Sequence, residues 1–538
     1  MISREGLSAL WKKEDWWAVW IGFAILAFAA GAAMFESGVK VARIQRWTSN
    51  PWDAFYGDVK VKVSGWPQKA RSATALRTIL PGAQGRQFAE RFHYRRKVSY
   101  SGGERKVSET IAWKSRYPMS PAERDALLRL ADSEDHRSAV NALYQKAQSP
   151  KPSFLPLAAL LFAFCAAFAV AIRTMGGRTA RFVAGFLVVF ALASVAYVLA
   201  GQHAIKAYGL PYAMWALVLG LLISNTVGTP GWLLAGSRTE LFIKTGLVLL
   251  GAEILFSKIL VLGSRGLLVA WLVTPCVLMF MYFFGTRVLR ITSKALVVIV
   301  AAATSVCGVS AAIATAAAAK AKKEELTLAV GMTLVFTVLM MIFMPPLIKA
   351  VGLNEQVGGA WIGGTIDATG AVVAAGALLG DHAEVVAAVV KMIQNVLIGV
   401  VAFVVAVAWV TQIERDSDAP RPTVMEIWYR FPKFIIGFVV ASLVFSFVLI
   451  PAFGGGQEGL TFVSRNVIGN VTKTCRGWLF CLAFVAIGLE SNFRELAHQM
   501  AGGKPIVLYL VGQIFNLMLT LLVAYVAFGG WLLPAITL

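Results

Sequence analysis

The sequence predicts an all-α polytopic membrane protein with a small α+β soluble insert, and three observations predict it. Of its 538 residues 58% are hydrophobic and only 15% charged, whereas soluble domains carry ~25% charged residues. Apolar runs long enough to span a bilayer recur from Trp16 to the C-terminus, and mean hydropathy is +0.68. Two of those runs are interrupted by short glycine- and hydroxyl-bearing stretches, Thr304-Ser305-Val306-Cys307-Gly308-Val309-Ser310 and Thr365-Ile366-Asp367-Ala368-Thr369-Gly370. Irregular backbone at membrane depth persists only where protein or a water-filled cavity satisfies its N–H and C=O groups. Paired interruptions are therefore pointers to a binding site between helices, in an inverted-repeat architecture with two interrupted or re-entrant helices.

Residues 1–35 read as an N-terminal transmembrane helix. Lys12, Lys13, Glu14 and Asp15 precede the run from Trp16 to Met34. Ala29, Ala30 and Ala32 resemble a signal-peptidase site, but the run's length and Trp16, Trp17 and Trp20 at one interface favour a retained span. Residues 36–152 form the soluble insert, which carries about half of the net charge of +21. Alternation over Asp58–Val63 reads as a strand, and Phe92–Tyr100 with Lys106–Trp113 as a hairpin around Ser101-Gly102-Gly103. Ser120-Pro121-Ala122-Glu123 is a capping box that opens a helix to about Ala147. The insert shows no catalytic constellation and reads as a solvated decoration or a ligand sensor.

Residues 153–538 form the transmembrane domain, with spans at 154–172, 179–200, 211–228, 240–257, 266–285, 326–350, 385–411, 433–452, 477–491 and 505–530. The interrupted segments cover 295–319 and 358–380. If both cross fully, Lys320, Lys322 and Lys323 fall outside; if both are re-entrant hairpins, these lysines join Arg173, Arg178, Arg181, Arg238, Arg287, Arg290 and Lys294 in the cytoplasm. The positive-inside rule favours hairpins entering from opposite faces, with the insert extracytoplasmic. Gly251-Ala252-Glu253-Ile254-Leu255-Phe256 and Gly488-Leu489-Glu490-Ser491-Asn492-Phe493 share a GxExxF echo in oppositely directed spans, as an inverted repeat requires.

The chemistry concentrates at the interruptions. A chain break there exposes helix N-terminal N–H groups, which suit an anion, and Thr304, Ser305, Cys307, Gly308, Ser310, Thr365, Thr369 and Gly370 surround it. Gly, Ala and Ser also serve close helix packing. Asp367 is a carboxylate in an apolar run, a functional candidate by default. Lys391, with Gln394 and Asn395 a turn on, has three roles open to it: neutralising Asp367, attracting an anionic substrate, or snorkelling to the outer interface. Glu253 and Glu490, with Asp367, are candidates for coupling a proton or cation, although both glutamates also suit helix ends. Asn225 is a lining or capping residue.

Other classes find no support. No nucleophile–base pair, phosphate loop or HExxH pattern points to an enzyme, and no His/Cys cluster has metal-ligand spacing. No cofactor is expected. Cys165, Cys276, Cys307, Cys475 and Cys481 lie in or beside hydrophobic segments and imply no disulfide framework. The positive charge sits largely in loops flanking spans, so nucleic acid is not an expected partner. The partners expected are the lipid bilayer, a small anion and a coupling proton or cation; a homodimer is left open.

At these motifs the chain resembles the YeiH-type sulfate exporter family of bacterial inner-membrane proteins. The resemblance covers roughly Ala213 to Thr411 and resumes at Phe484–Tyr525. It rests on Gly246–Gly251, Ser305–Ala311, Ala314–Ala321, Val372–Gly376 and Lys391-Met392. It implies an inner-membrane, multi-pass secondary transporter exporting a small anion, plausibly sulfate or a related sulfur oxyanion, by alternating access. Members carry a His-Glu pair and a glutamine near the second interruption, where this chain has Asp367-Ala368 and Ala371. The insert 36–152 is absent from compact members. Two alternatives stand beside this reading, a cation/proton antiporter in which Asp367 binds the ion, and a membrane sensor that uses the insert.

Overall fold

The computed structural model describes residues 8–35, 39–48, 50–57, 59–63, 91–101, 104–115, 119–131, 133–147, 151–207, 211–409, 411, 428, 431–492 and 503–530. Asp58, Gly102, Gly103 and Phe493 lie outside the described residues. The chain divides into two compact units, one of Met1–Val41, Leu160–Ala200 and Ile205–Leu538, the other of Ala42–Ala159 and Gly201–Ala204.

Helix α1 (Glu14–Met34) opens the first unit, and Trp11 stacks on Trp20 ahead of it with ring centroids 5.9 Å apart. In the second unit β1 (Tyr56–Gly57) pairs with β5 (Lys151–Pro152), while β2 (Val59–Val63), β3 (Phe92–Ser101) and β4 (Glu104–Ser115) form an antiparallel sheet in the order β2-β4-β3. Val61 pairs with Trp113, and Ser101 with Glu104. The helix expected from Pro121 to Ala147 is two helices, α2 (Pro121–Leu128) and α3 (Glu134–Lys146). The Ser120–Glu123 capping box starts the first, and Ser133 Oγ accepts the His136 N–H at 3.3 Å to start the second. The intervening cap competes successfully with a continuous helix.

The remaining helices are α4 (Phe154–Thr174), α5 (Thr179–Gly201), α6 (Tyr212–Thr226), α7 (Thr239–Glu253), α8 (Phe256–Val288), α9 (Lys294–Ser305), α10 (Gly308–Ala318), α11 (Lys323–Val351), α12 (Glu355–Thr365), α13 (Thr369–Leu379), α14 (Asp381–Ala408), α15 (Phe434–Ala452), α16 (Gly456–Glu490) and α17 (Gly503–Phe528). Nine helices among the described residues are long and apolar enough to cross a membrane, so this is an all-α multi-pass membrane unit. Two helices begin well before the expected spans. α8 starts at 256 rather than 266 and α16 at 456 rather than 477. Charged residues in these extensions lower local hydropathy, yet several are satisfied by protein. Arg265 donates to the Ala527 carbonyl at 3.3 Å, and Arg476 is ion-paired.

The two interrupted segments double back as hairpins. Ala295 and Ala319, at the two ends of α9–α10, share one buried cluster with Val405 and Trp409 of the α14 terminus. In α12–α13 a Cβ at Gly358 would lie 2.7 Å from Leu379, and Gly359 packs on the Ala383 backbone near the other end of α14. The hairpin bases therefore flank opposite ends of α14, and their tips meet at its middle. Lys294, Lys320, Lys322 and Lys323 lie at the base of the first hairpin, the basic face; Glu355 and Asp381 lie at the base of the second.

Two groups of helices stand out in this unit. One contains α1, α6, α7, α15 and α16, with α4 and α5 packed on it through Phe168, Phe186 and Phe190; the other contains both hairpins with α8, α11, α14 and α17. Within the first group α7 and α16 are antiparallel: Thr239 meets Glu490, Gly246 meets Phe480, and Glu253 meets Arg476. The GxExxF copies thus end at opposite faces.

Candidate functional site

At each hairpin tip one helix stops and another begins, which leaves backbone carbonyls and N–H groups without intrahelical partners. α9 ends where Val306 leaves helical geometry (φ −124°, ψ −74°) and Cys307 is extended (φ −157°, ψ 114°). α12 ends at Thr365, and extended Ile366 and Ala368 flank Asp367.

Protein donors cap the carbonyl ends. Asn516 Nδ2 donates to the Thr304 carbonyl (3.1 Å), Thr274 Oγ1 and Gln394 Nε2 to that of Ser305 (both 2.9 Å), and Lys391 Nζ to that of Val306 (2.8 Å). Gln394 Nε2 also reaches the Gly364 carbonyl at 3.2 Å, and Gln513 Nε2 the Thr365 carbonyl at 3.1 Å. Five carbonyls at the two breaks are thus held by donors from α8, α14 and α17.

The N-terminal ends are treated differently. Cys307 and Ala368 occupy the N-cap positions of α10 and α13, and neither accepts a capping bond. Ser, Thr, Asp or Asn would normally do so. The Gly308 N–H donates to the Asp367 carbonyl at 3.0 Å, tying the tips together. Ser310 in the first turn of α10 and Thr369 in that of α13 line a cavity of about 380 Å³. Cys307, Thr369 and Asn395 are its buried lining and Ser310 an exposed one, whereas Asp15, Glu240 and Lys244 lie where α1 and α7 begin. Asn395 is 2% exposed; its Nδ2 donates to Thr369 Oγ1 at 3.0 Å and its Oδ1 has no partner among the described residues. Rotating the amide by 180° lets Oδ1 accept the Thr369 hydroxyl and frees two N–H donors.

The cavity gathers Cys307, Ser310 and Thr369 of the sequence candidates, with Gly308 and Gly370 in the adjoining first turns. Thr304 and Thr365 instead bond back to the Val300 and Trp361 carbonyls. Ser305 is buried, and its Oγ has no partner among the described residues. Asp367 lies behind the tip, where its carboxylate accepts the Tyr509 hydroxyl and Tyr509 stacks on Phe336. Lys391 is 1% exposed and reaches no interface; besides Val306 it donates to Gln394 Oε1 at 2.8 Å. Among the described residues no ion pair joins it to Asp367. Glu490 accepts the Thr239 hydroxyl at 3.1 Å near the second tip, while Glu253 lies at the opposite end of the unit. Asn225 donates to the Leu221 and Ser491 carbonyls as a helix-end residue.

Sequence reasoning overlooked Thr274, Tyr509, Gln513 and Asn516. Tyr509, Gln513, Asn516 and Thr520 recur at i, i+4, i+7 and i+11 of one apolar helix. That spacing draws a polar stripe on one face.

The fold and site define a polytopic membrane protein with two opposed helical hairpins joined at their tips. Residues 184–509 match the family described as Conserved hypothetical protein 698, and the chain belongs to that family, the UPF0324 membrane proteins. It is 46% identical over 524 residues to a UPF0324 membrane protein of Rhodopirellula baltica, covering 97% of this chain and 91% of the relative. A UPF0324 membrane protein of Nitratidesulfovibrio vulgaris is 42% identical over 564 residues, covering 97% and 95%. A relative from Nitrosomonas europaea is 28% identical over 433 residues, covering 71% and 85%. No solved structure matches the chain.

Proposed function

We propose that this protein is a secondary transporter of a small anion, working by alternating access in the bacterial inner membrane. The observation that carries the reading is the asymmetry at the tips. Carbonyl ends, which would attract a cation, are closed off by side-chain donors. Uncapped N-termini, which attract an anion, border the cavity beside Asn395, Ser310 and Thr369. The same asymmetry favours an anion over the cation of the antiporter reading. Sulfate or a related sulfur oxyanion is the proposed cargo, on the resemblance carried by Ser305–Ala311 and Lys391-Met392. A proton or cation would be coupled through Asp367, with Glu490 nearer the cavity. No enzymatic step enters this reading.

The test is radiolabelled sulfate flux into liposomes with wild-type protein and Asn395→Asp. A carboxylate at 395 places like charge against the anion; two unit charges about 4 Å apart at an effective dielectric of about 20 repel by about 4 kcal/mol. Anion flux should fall roughly tenfold or more. Flux of a monovalent cation, with Asn395→Asp matching or exceeding wild type, would replace the anion reading with the antiporter.

A further inference from the structure

The cavity meets the tips from the end where α1 and α7 begin, and the opposite end holds a buried cluster of charge. Arg476 of α16 donates through Nε to Glu253 of α7 at 3.0 Å and through Nη1 to Glu384 of α14. All three side chains are at most 10% exposed. Tyr197 and Tyr212 stack beside them with centroids 4.8 Å apart, and Tyr197 lies 4.7 Å from the Trp478 ring. Farther out, Lys473 pairs with Asp381 at 3.6 Å.

The cluster joins different helix groups. Arg476 and Glu253 belong to the group of α7 and α16. Glu384 begins α14, and its backbone lies against Gly376 of the second hairpin. At the cavity end the pattern reverses: Lys244 pairs with Glu14, Asp15 and Glu240, all on α1 and α7 of its own group. Arg476–Glu384 and Lys473–Asp381 both cross between the groups, and both lie at the end away from the cavity. An arginine held by two carboxylates in a nearly dry site makes a two-sided clamp, because removing one partner leaves buried charge uncompensated.

We propose that Arg476, Glu253 and Glu384 form the gate that holds the unit closed at the face opposite the cavity, and that separating Arg476 from Glu384 opens that face. This rests on the transport reading, and it adds the structural element whose opening exposes the tips to the other side. The structure then represents the state open toward the basic face. Glu384 is the moving partner, since it travels with α14 and the hairpins.

Cys307 lines the cavity and supplies a native probe. The full chain retaining Cys307 alone, with the other four cysteines replaced by serine, is labelled with a membrane-impermeant methanethiosulfonate in right-side-out and inside-out vesicles. With the gate intact, Cys307 should react from the basic face. In Glu384→Gln it should become reactive from the opposite face, at least fivefold faster than the parent protein. A companion chain retaining only Cys481, which is fully buried, should remain unlabelled and reports an intact fold. If Cys481 reacts in Glu384→Gln, Glu384→Asp carries the test, because the shorter carboxylate keeps the charge but draws back from Arg476, and a smaller shift in the same direction is expected. Unchanged sidedness of Cys307 in the folded variants overturns the gate. Sidedness that switches while no anion is carried removes the transport reading and leaves the gate in place.

Discussion

Lys244 and Arg476 each gather carboxylates at one end of the membrane unit, yet the groups they join differ in kind. Lys244 binds Glu14, Asp15 and Glu240 on two helices that already pack together, with Glu240 half exposed. Arg476 binds Glu253 and Glu384 on helices of separate groups, in a site almost without solvent. More partners do not make the stronger constraint. Ion pairs within one packed group mainly shape a surface, whereas pairs between groups fix how the groups stand to one another.

The largest effect should come from Arg476→Met, which strands two carboxylates in a buried site. A loss of about 3–5 kcal/mol is expected, read as a lowered unfolding temperature in detergent. Most of it should return in the triple variant Arg476→Met/Glu253→Gln/Glu384→Gln, and no recovery would assign the loss to packing rather than charge. Gly308→Ala separates packing from charge directly. Its Cβ would lie 2.1 Å from Thr333 Cγ2 and 3.3 Å from Asp367 Cβ, an overpacking that costs about 1–3 kcal/mol. Combining it with Thr333→Ser removes the opposing methyl and should restore part of the lost thermal stability. The smallest effect is expected for Lys244→Met, about 1 kcal/mol or less, as for partly exposed pairs. A loss equal to that of Arg476→Met would erase the distinction between the two clusters.

The membrane architecture was legible because apolar length is a strong signal and because backbone breaks leave glycine and hydroxyl residues behind. Loop charge at Lys320, Lys322 and Lys323 also favoured hairpins over full crossings. Lys391, Gln394 and Asn395 stood out as polar residues inside an apolar run. What stayed hidden was pairing. The expected spans 385–411 and 477–491 begin one residue after Glu384 and Arg476, because hydropathy treats each charge alone and cannot see that the two neutralise one another. Tyr509, Gln513 and Asn516 were missed for a related reason. Each is a single polar residue diluted by an apolar helix, and only their shared face and the carbonyls opposite give them meaning. Cys307 and Ala368 carry the subtlest information, since their importance lies in not capping the helices they begin.

The bond from the Gly308 N–H to the Asp367 carbonyl has a mechanical consequence. Gln394 grips the Ser305 carbonyl of one hairpin and the Gly364 carbonyl of the other. Hairpins stitched together in this way cannot swing as independent lids, because raising either tip breaks bonds belonging to both. The hairpins and α14 therefore behave as a single clasp, and any rearrangement of the unit must shift that clasp whole against α6, α7 and α16.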